Sequence, residues 1–593
     1  MSRPQPKVIL RGTVNTLRQL PLLIRSSRRM IASDPLLFAV QFSRRLPRTV
    51  RLQLESIAAP LAASQLRALL EFVADHPDKA RVTLEKLGNT GPLSALEGEL
   101  RTQLGMNASK SPREATRVRH ALAEGDLHGA HRAASGSMKR RTLGQLRLHT
   151  VGTGIVLPDD SLASAPRSRA NDAEPRVLHF LTNSVPWTQS GYTFRSHSIL
   201  QAQREAGIDL LAVTRLAYPT TIGRPWAGAS DTLDGITYRR LNASKTPVGD
   251  DARLAQQAAA LLERVRDFRP DVLHTTTDFT NALTVDAVAR ATGLPWVYEM
   301  RGNMEQTWLA RQPEALRRQR ALSERYLSRR ARETEMALRA DHVVALSELQ
   351  KGDLVSRGVP REKITVIPNS VDVDLLNLPR DPSGARDHLG LPQGFWVGTV
   401  TAVVDYEGLD DLLRACAILK SSDHPVHVAI VGDGVSLPAL RSLAHDLGIE
   451  DLVIFPGRVP PAQAKDWYRA LDVFVIPRKA TAVTRSVTPI KGLQAMALGI
   501  PIVASDLPAL NEITGEESFP FAVRPEDPKS LAAALEELAC DADLLSSKSG
   551  ELRARAAGQT WRSAAQKYRA IYSQVRGSQL DAESQSLQVA RTS

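Results

Sequence analysis

The sequence predicts an α/β protein: two Rossmann-like domains facing across a cleft, preceded by an N-terminal helical region. Three observations predict it. From residue 176 onward, short apolar runs alternate with amphipathic stretches, the pattern of parallel strands whose crossover helices cover both faces of a sheet. The alternation halts near Pro368–Pro379 and then restarts, which makes two sheets. The stretch before residue 158 has no such strand runs and is rich in Ala, Leu and Arg. At 593 residues, with 42% hydrophobic and 24% charged side chains, the chain can bury several cores. A wholly disordered chain, a collagen-like repeat and a small disulfide scaffold are excluded. Two cysteines, Cys416 and Cys540, make no framework of bridges, and a reducing cytosol suits them.

Residues 1–60 form a basic helical segment. Within the first 51 residues, 11 basic side chains stand against a single acid, Asp34. Leucine clusters around Leu20–Ile24 and Leu36–Phe42 lie between the arginines. Such basic amphipathic helices suit an anionic membrane surface, and residues 1–55 are the candidate contact; the alternative is a charged face docked on the protein itself. No run approaches the ~20 apolar residues of a membrane span, and no secretory signal stands out. The expected place is therefore the cytoplasm, peripheral at the inner membrane face. Residues 1–150 carry 25 basic and 11 acidic side chains, an excess larger than the net charge of +12 of the whole chain. The rest is nearly neutral, which argues against nucleic acid as a partner.

Residues 61–157 read as a helical accessory region without visible chemistry, with half of a helical hairpin at Ala121–Ala134. Residues 158–175 are polar and rich in Pro, Ser and Asp, a linker. Residues 176–370 form the first sheet domain. Its strands are read at Val177–Leu181, Leu210–Val213, Val272–His274, Trp296–Tyr298 and His342–Ala345. Its helices are read at Arg195–Ala206, Leu254–Phe268, Asn281–Ala291 and Leu316–Leu338. Residues 371–545 form the second, with strands at Phe395–Val400, Val428–Val431, Leu452–Phe455, Val473–Ile476 and Ile502–Ala504. Residues 546–576 are expected to be a helix crossing back to the first domain, and 577–593 a disordered tail. Ligands of such sheets bind at the carboxyl ends of the strands, so the cleft is the expected site.

The segment Pro477–Ser505 is the most informative. A loop with Arg478, Lys479 and Arg485 follows a strand, and Thr488-Pro489 then opens a helix, Thr488 as N-cap and Pro489 in the first turn. Lys491 sits in that turn, where a cation opposes the helix dipole. A bound phosphate removes the conflict: helix N–H groups, Lys491 and the loop arginines together suit a diphosphate. The alternative is a set of ordinary surface cations.

The run Val487-Thr488-Pro489-Ile490-Lys491-Gly492-Leu493-Gln494-Ala495-Met496-Ala497 resembles the V-T-P-L-K-P-x-E-A-M-A motif of a bacterial branch of family 4 retaining glycosyltransferases, which have the two-domain GT-B fold. Asp405-Tyr406-Glu407-Gly408-Leu409, Val431-Gly432-Asp433-Gly434, Ser190 to Ser196, Tyr298-Glu299-Met300-Arg301-Gly302, Ala504 to Pro508 and Glu512 resemble its other motifs, in the same order. The resemblance spans about Val177 to Ala570.

The resemblance implies transfer of a sugar from a nucleoside-diphosphate-sugar donor to a glycan or lipid-linked acceptor with retention, in cell-surface polysaccharide biosynthesis. The second domain would bind the donor and the first the acceptor. Charge grows on the leaving diphosphate as the glycosidic bond breaks, and cations aimed at it are the main catalytic device. Lys491, Arg478 and Arg485 are the candidates, with Arg301 reaching across from the first domain. Gly191, Gly432, Gly434, Thr488, Pro489 and Gln494 are the donor-binding candidates, and His274 and Tyr192 the acceptor-side ones. No cofactor and no metal are expected. Gln494 departs from the family, which has there a glutamate for the donor ribose; Ser486 replaces the first glutamate of E-x(7)-E, and Ala402 and Glu407 replace an Arg and a Lys. A glutamine offers a carbonyl acceptor without charge assistance. Two other readings stand beside a working enzyme: a catalytically weakened scaffold that binds nucleotide-sugar or glycan, and an epimerase, for which no proton-moving set is visible.

Overall fold

The computed structural model describes residues 60–592 except 75, 89–92, 158–173, 244, 423, 487 and 516–519, together with helical residues 19–21, 24, 36, 40, 53, 56 and 57; side chains are described as far as residue 577, those of 461, 462 and 483 excepted. Apart from those few positions and residues 174 and 175, the basic segment 1–60 and the linker 158–175 lie outside the described residues.

The helical region begins with Gln65–Val73, Pro77–Lys86 and Ala95–Gln103, which bury Phe72, Leu84, Leu100 and Leu104 together. Ser64 and Ser94 cap the first and third by accepting from the Arg67 and Glu97 N–H groups. Helices Glu114–Glu124 and Leu127–Ala133 form a hairpin. It turns at Gly125, whose φ of +81° suits glycine. Helix Gly136–His149 follows. The region is fastened to the first sheet domain. Glu324 accepts from the Leu127 and His128 N–H groups at 2.9 and 3.0 Å, Arg332 donates to the Thr153 carbonyl at 2.7 Å, and Arg147 pairs with Asp251 at 3.1 Å.

The first sheet holds β1 (Arg176–Leu181), β2 (Asp209–Thr214), β3 (Ser230–Leu233), β4 (Ile236–Arg240), β5 (Val272–Thr276), β6 (Trp296–Met300), β7 (His342–Ala345) and β8 (Ile364–Val366). Their order is β3-β4-β2-β1-β5-β6-β7-β8, parallel except for β3 against β4. β5 and β6 are buried along their whole length, the polar His274 and Glu299 included. The predicted helix Leu316–Leu338 is instead two, Glu314–Arg320 and Glu324–Arg339. Ser323 caps the second by accepting from the Tyr326 N–H, which ends the first turn's register and starts another.

The second sheet holds β9 (Trp396–Val400), β10 (His427–Val431), β11 (Val453–Gly457), β12 (Val473–Ile476), β13 (Ile502–Ser505) and β14 (Ala522–Val523), in the order β11-β10-β9-β12-β13-β14, all parallel. The strand order reverses between β1 and β5 in one sheet and between β9 and β12 in the other. Those reversals are where open α/β sheets leave a crevice.

The chain crosses between the domains twice. Val371 and Thr560 form a parallel bridge: the Val371 N–H donates to Gln559 at 2.9 Å and the Trp561 N–H to Val371 at 3.1 Å. The expected crossing helix 546–576 is two helices. Ala542–Ala557 stays on the second domain, burying Leu552 and Ala556 in its core. Trp561–Thr592 returns to the first, and Trp561, Ala564, Tyr568, Ile571, Tyr572 and Val575 lie buried on Val177, Val272, Val297 and Val344. The helix is assigned as far as Thr592, over most of the stretch expected to be a tail.

Candidate active site at the strand ends

Helix Ile490–Ala497 starts one residue later than the sequence suggests. Pro489 is its N-cap, Thr488 lies outside it, and no side chain caps its N–H groups. The extended ψ of 138° at Pro489 leaves that residue outside the helix as its N-cap, which is the shift. Lys491 is half-buried behind this start and makes no hydrogen bond or ion pair with the described residues. Burial pushes its ammonium down to about 8, Glu407 opposing that and Arg458 adding to it.

The other predicted cations divide. Arg478 is buried and donates to both Glu407 oxygens, at 3.1 and 2.8 Å, so it is neutralised within its own domain. Arg485, on the short helix Ala482–Ser486, is exposed and has no ion pair among the described residues. Arg301 does not reach across the cleft. Its Nε and Nη2 donate to Glu299 at 2.9 and 3.1 Å, and its Nη1 to the Tyr192 carbonyl and Ser196 Oγ at 3.0 and 2.6 Å.

Glu299 lies fully buried between two guanidiniums. Arg195 Nε donates to its Oε1 at 2.8 Å, and His274 Nε2 lies 3.1 Å from its Oε2. Burial alone would raise the Glu299 pKa; Arg301 and Arg195 overcome that and hold it well below the usual carboxylate range. His274 is fully buried, bonded through Nδ1 to the Tyr572 hydroxyl at 2.7 Å and stacked on His179. It is a packing histidine beneath the site, not an acceptor-side contact, and burial lowers its pKa. Arg195 also donates to the Ile367 and Pro368 carbonyls, each at 2.9 Å, gripping the first interdomain crossing.

The glycines have packing roles that only the structure reveals. A Cβ on Gly432, at φ +147°, would fall 1.8 Å from the Thr401 carbonyl oxygen, and one on Gly434 2.1 Å from that of Val403. The loops after β9 and β10 therefore touch backbone to backbone. Gly191 opens helix Gly191–Glu205 and faces Ile490 across the cleft, an added Cβ lying 3.5 Å from Ile490 Cδ1. The start of that helix thus stands next to the start of the Lys491 helix. Gln494 accepts from the Tyr468 hydroxyl at 3.1 Å, so its carbonyl is engaged inside the second domain. Thr488 and Pro489 line a small cavity of about 70 Å³ between the domains. Glu512 lines it too and accepts from the Glu348 N–H at 2.6 Å, placing its charge at the N-terminus of helix Glu348–Ser356.

A larger cavity of about 590 Å³ opens at the carboxyl ends of β1, β2 and β5. Tyr192 and Arg301 line it, as do Asn183, Arg215 and Asp278, which sequence reasoning did not single out. Their place directly after β1, β2 and β5 was the available signal. Among the described residues no group of three or more His, Cys, Asp or Glu side chains is gathered for a metal ion. Among them, too, no helix is long and apolar enough to cross a membrane.

Residues 190–370 match the family described as Glycosyl transferase 4-like domain, and residues 392–541 that described as Glycosyl transferases group 1. The chain is 27% identical over 250 residues to a D-inositol 3-phosphate glycosyltransferase of Thermobispora bispora, covering 40% of this chain and 56% of that protein. It is 26% identical over 281 residues to an alpha-monoglucosyldiacylglycerol synthase of Streptococcus pneumoniae, covering 45% and 59%. The chain spans about half the length of the curated relatives it matches. Its fold is that of Anabaena HepE, solved in complex with UDP, at 18% identity and a TM-score of 0.53 over 67% of this chain and all of that one. The two matched domains cover more than half of the sequence and fall in chain order on the two sheets, and the chain belongs to the glycosyltransferase family.

Proposed function

We propose that this protein transfers a sugar from a nucleoside-diphosphate-sugar to a glycan or lipid-linked acceptor, with retention, in cell-surface polysaccharide synthesis. One observation carries the reading: Lys491, a half-buried ammonium with no partner among the described residues, stands at an uncapped helix start directly across from Gly191. A desolvated cation beside free N–H groups is matched by an anion. In the reaction the bond from the sugar's anomeric carbon to the diphosphate oxygen breaks and its electron pair leaves with the diphosphate, while an acceptor hydroxyl oxygen bonds to that carbon and gives its proton to the departing diphosphate. Lys491 and Arg485 stabilise that growing charge, the load a metal ion would otherwise carry. UDP is the first nucleotide to test, since a neighbour in fold was solved with it.

A thermal-shift screen of UDP-, GDP-, ADP- and dTDP-sugars and the free diphosphates tests the reading; a donor that binds the folded chain raises Tm. No shift with any of them sinks it. A scaffold that binds donor without turning it over is favoured by one observation, the Gln494 carbonyl engaged by Tyr468. Release of free diphosphate by the purified protein decides between the two.

The Lys491 ammonium, at about 8, makes donor affinity depend on pH. It is charged and binding at pH 7, and loses its proton as pH rises through 8. UDP affinity should fall about tenfold by pH 9, and Lys491→Arg should flatten the profile. A flat wild-type profile removes Lys491 from the diphosphate.

Membrane contact through residues 1–55 belongs to the same reading, as a means of reaching a lipid-linked acceptor. The full chain should float with anionic liposomes and a chain lacking residues 1–55 should not. A full chain that stays off the liposomes ends this part of the proposal.

A further inference from the structure

The cavity of about 590 Å³ has two walls of different origin. One is the strand-end wall, with Asn183, Arg215 and Asp278. The other is the helical region, which contributes Gln145 and His149 from helix Gly136–His149 and Leu127 from the helix before it.

Charge and hydrogen bonding around this space do not balance. Asp250 is matched by Arg253 at 3.0 Å, and Asp278 by Arg329 at 2.8 Å. Arg215 and Arg325 line the same space and have no ion pair among the described residues. The Nε of each is buried without a hydrogen-bond partner among the described residues, and so are Asn183 Oδ1 and Gln145 Oε1. His149 adds no negative charge and no competing cation: burial pushes it down to about 3, with Arg325, Arg329 and Arg332 adding to the shift. Leaving buried polar groups unmatched costs free energy. Two guanidiniums that only donate and two amide carbonyls that only accept are the complement of one kind of molecule, an anionic oxygen group attached to a body bearing hydroxyls.

The geometry points to an acceptor that carries a phosphate ester, held by Arg215 and Arg325, with its hydroxyls on Asn183 and on Gln145 of the helical wall. This rests on the transferase reading above and assigns the helical region a part in acceptor choice. The two guanidinium forks supply bidentate donors to the phosphate oxygens. Leu127, Leu148, Leu216 and Phe279 are among the apolar side chains of the lining. The helical region is held in place by Glu324 and Arg332, so its wall is rigid with respect to the sheet.

Titration calorimetry on the full chain tests the proposal, with glucose 6-phosphate and glycerol 3-phosphate as probes and glucose and glycerol as neutral controls. The esters should bind at least about tenfold more tightly than the neutral compounds. Arg215→Gln should weaken the esters about tenfold, and Gln145→Trp, which fills the cavity from the helical side, should abolish their binding. UDP binding should be unchanged in both variants, and ester binding unchanged in Lys491→Ala. Short-chain, water-soluble phosphatidylinositol 4-phosphate, which offers no membrane surface to residues 1–55, forms a second arm. Loss of its binding in Arg215→Gln upholds the anion site, and the arm that responds names the source of the phosphate. Esters bound equally by wild type and Arg215→Gln, or binding in neither arm, overturn the proposal. Failure of UDP to bind is a separate result and sinks the transferase reading instead.

Discussion

Lys491→Ala should lower kcat/KM for the donor by about a hundredfold to a thousandfold, the effect of removing one preorganised charge from a developing anion. The effect should fall on donor affinity and turnover together if, as proposed, the charge is aimed at a diphosphate that is present in the ground state and gains charge as the bond breaks. Stability should move the other way. The ammonium is desolvated, and its depressed pKa states that the folded protein disfavours the charge when no anion is bound. Lys491→Met, which keeps the apolar stem, should therefore leave Tm unchanged or raise it while activity is lost. That divergence separates a functional cation from a structural one. If Lys491→Met retains donor kinetics, or loses them only along with a fall in Tm, the assignment fails. Arg478→Ala offers the contrast. Its partner Glu407 would be left buried and unmatched, so its loss should register in stability as well as in rate.

Glu299→Ala should be the most destabilising single change in the first domain. It strands Arg195 and Arg301 in the interior with no counter-charge and leaves His274 short of a partner. Breaking a buried pair from one side costs about 3–5 kcal/mol. For a domain of this size that lowers Tm by roughly ten degrees. Glu299→Gln keeps one acceptor oxygen for the guanidiniums, with an NH2 donor in place of the other, and should lose less. A Glu299→Ala protein within about 1 kcal/mol of wild type would mean that water replaces the carboxylate, and the network would then not be the keystone of the domain. The test is a thermal or urea unfolding curve followed by a signal from the first domain.

The strands were legible wherever a run was wholly apolar. Val272–His274, Trp296–Tyr298 and Val473–Ile476 all lie inside strands buried along their length. Those missed have other physics. β3 and β4 form an edge hairpin with a polar face, and their turn is Asp234-Gly235, both at positive φ, a dipeptide that does announce such a turn. β14 is two residues long and invisible to any periodicity. The helix break at Ser323 carries no glycine or proline to mark it; the capping serine is the cue. In the candidate site, cations were readable as residue types but their partners were not. Nothing local says that Arg478 meets Glu407 or that Arg301 meets Glu299, since those pairs are made by the fold. The same holds for residues 61–157, which show no chemistry in sequence yet wall the larger cavity through Gln145 and His149.

The bridge between Val371 and Thr560 has a bearing on the order of events. Two crossings bonded to each other at one point should let the halves swing more readily than slide past one another. A swing would then move the Lys491 helix and the helix at Gly191 along one arc. On the proposed reading, donor held on one half and acceptor on the other would meet in one orientation. Arg195, with its grip on Ile367 and Pro368, ties the first crossing to the Glu299 cluster. Loosening that cluster should therefore blur the arc as well as lower the melting point.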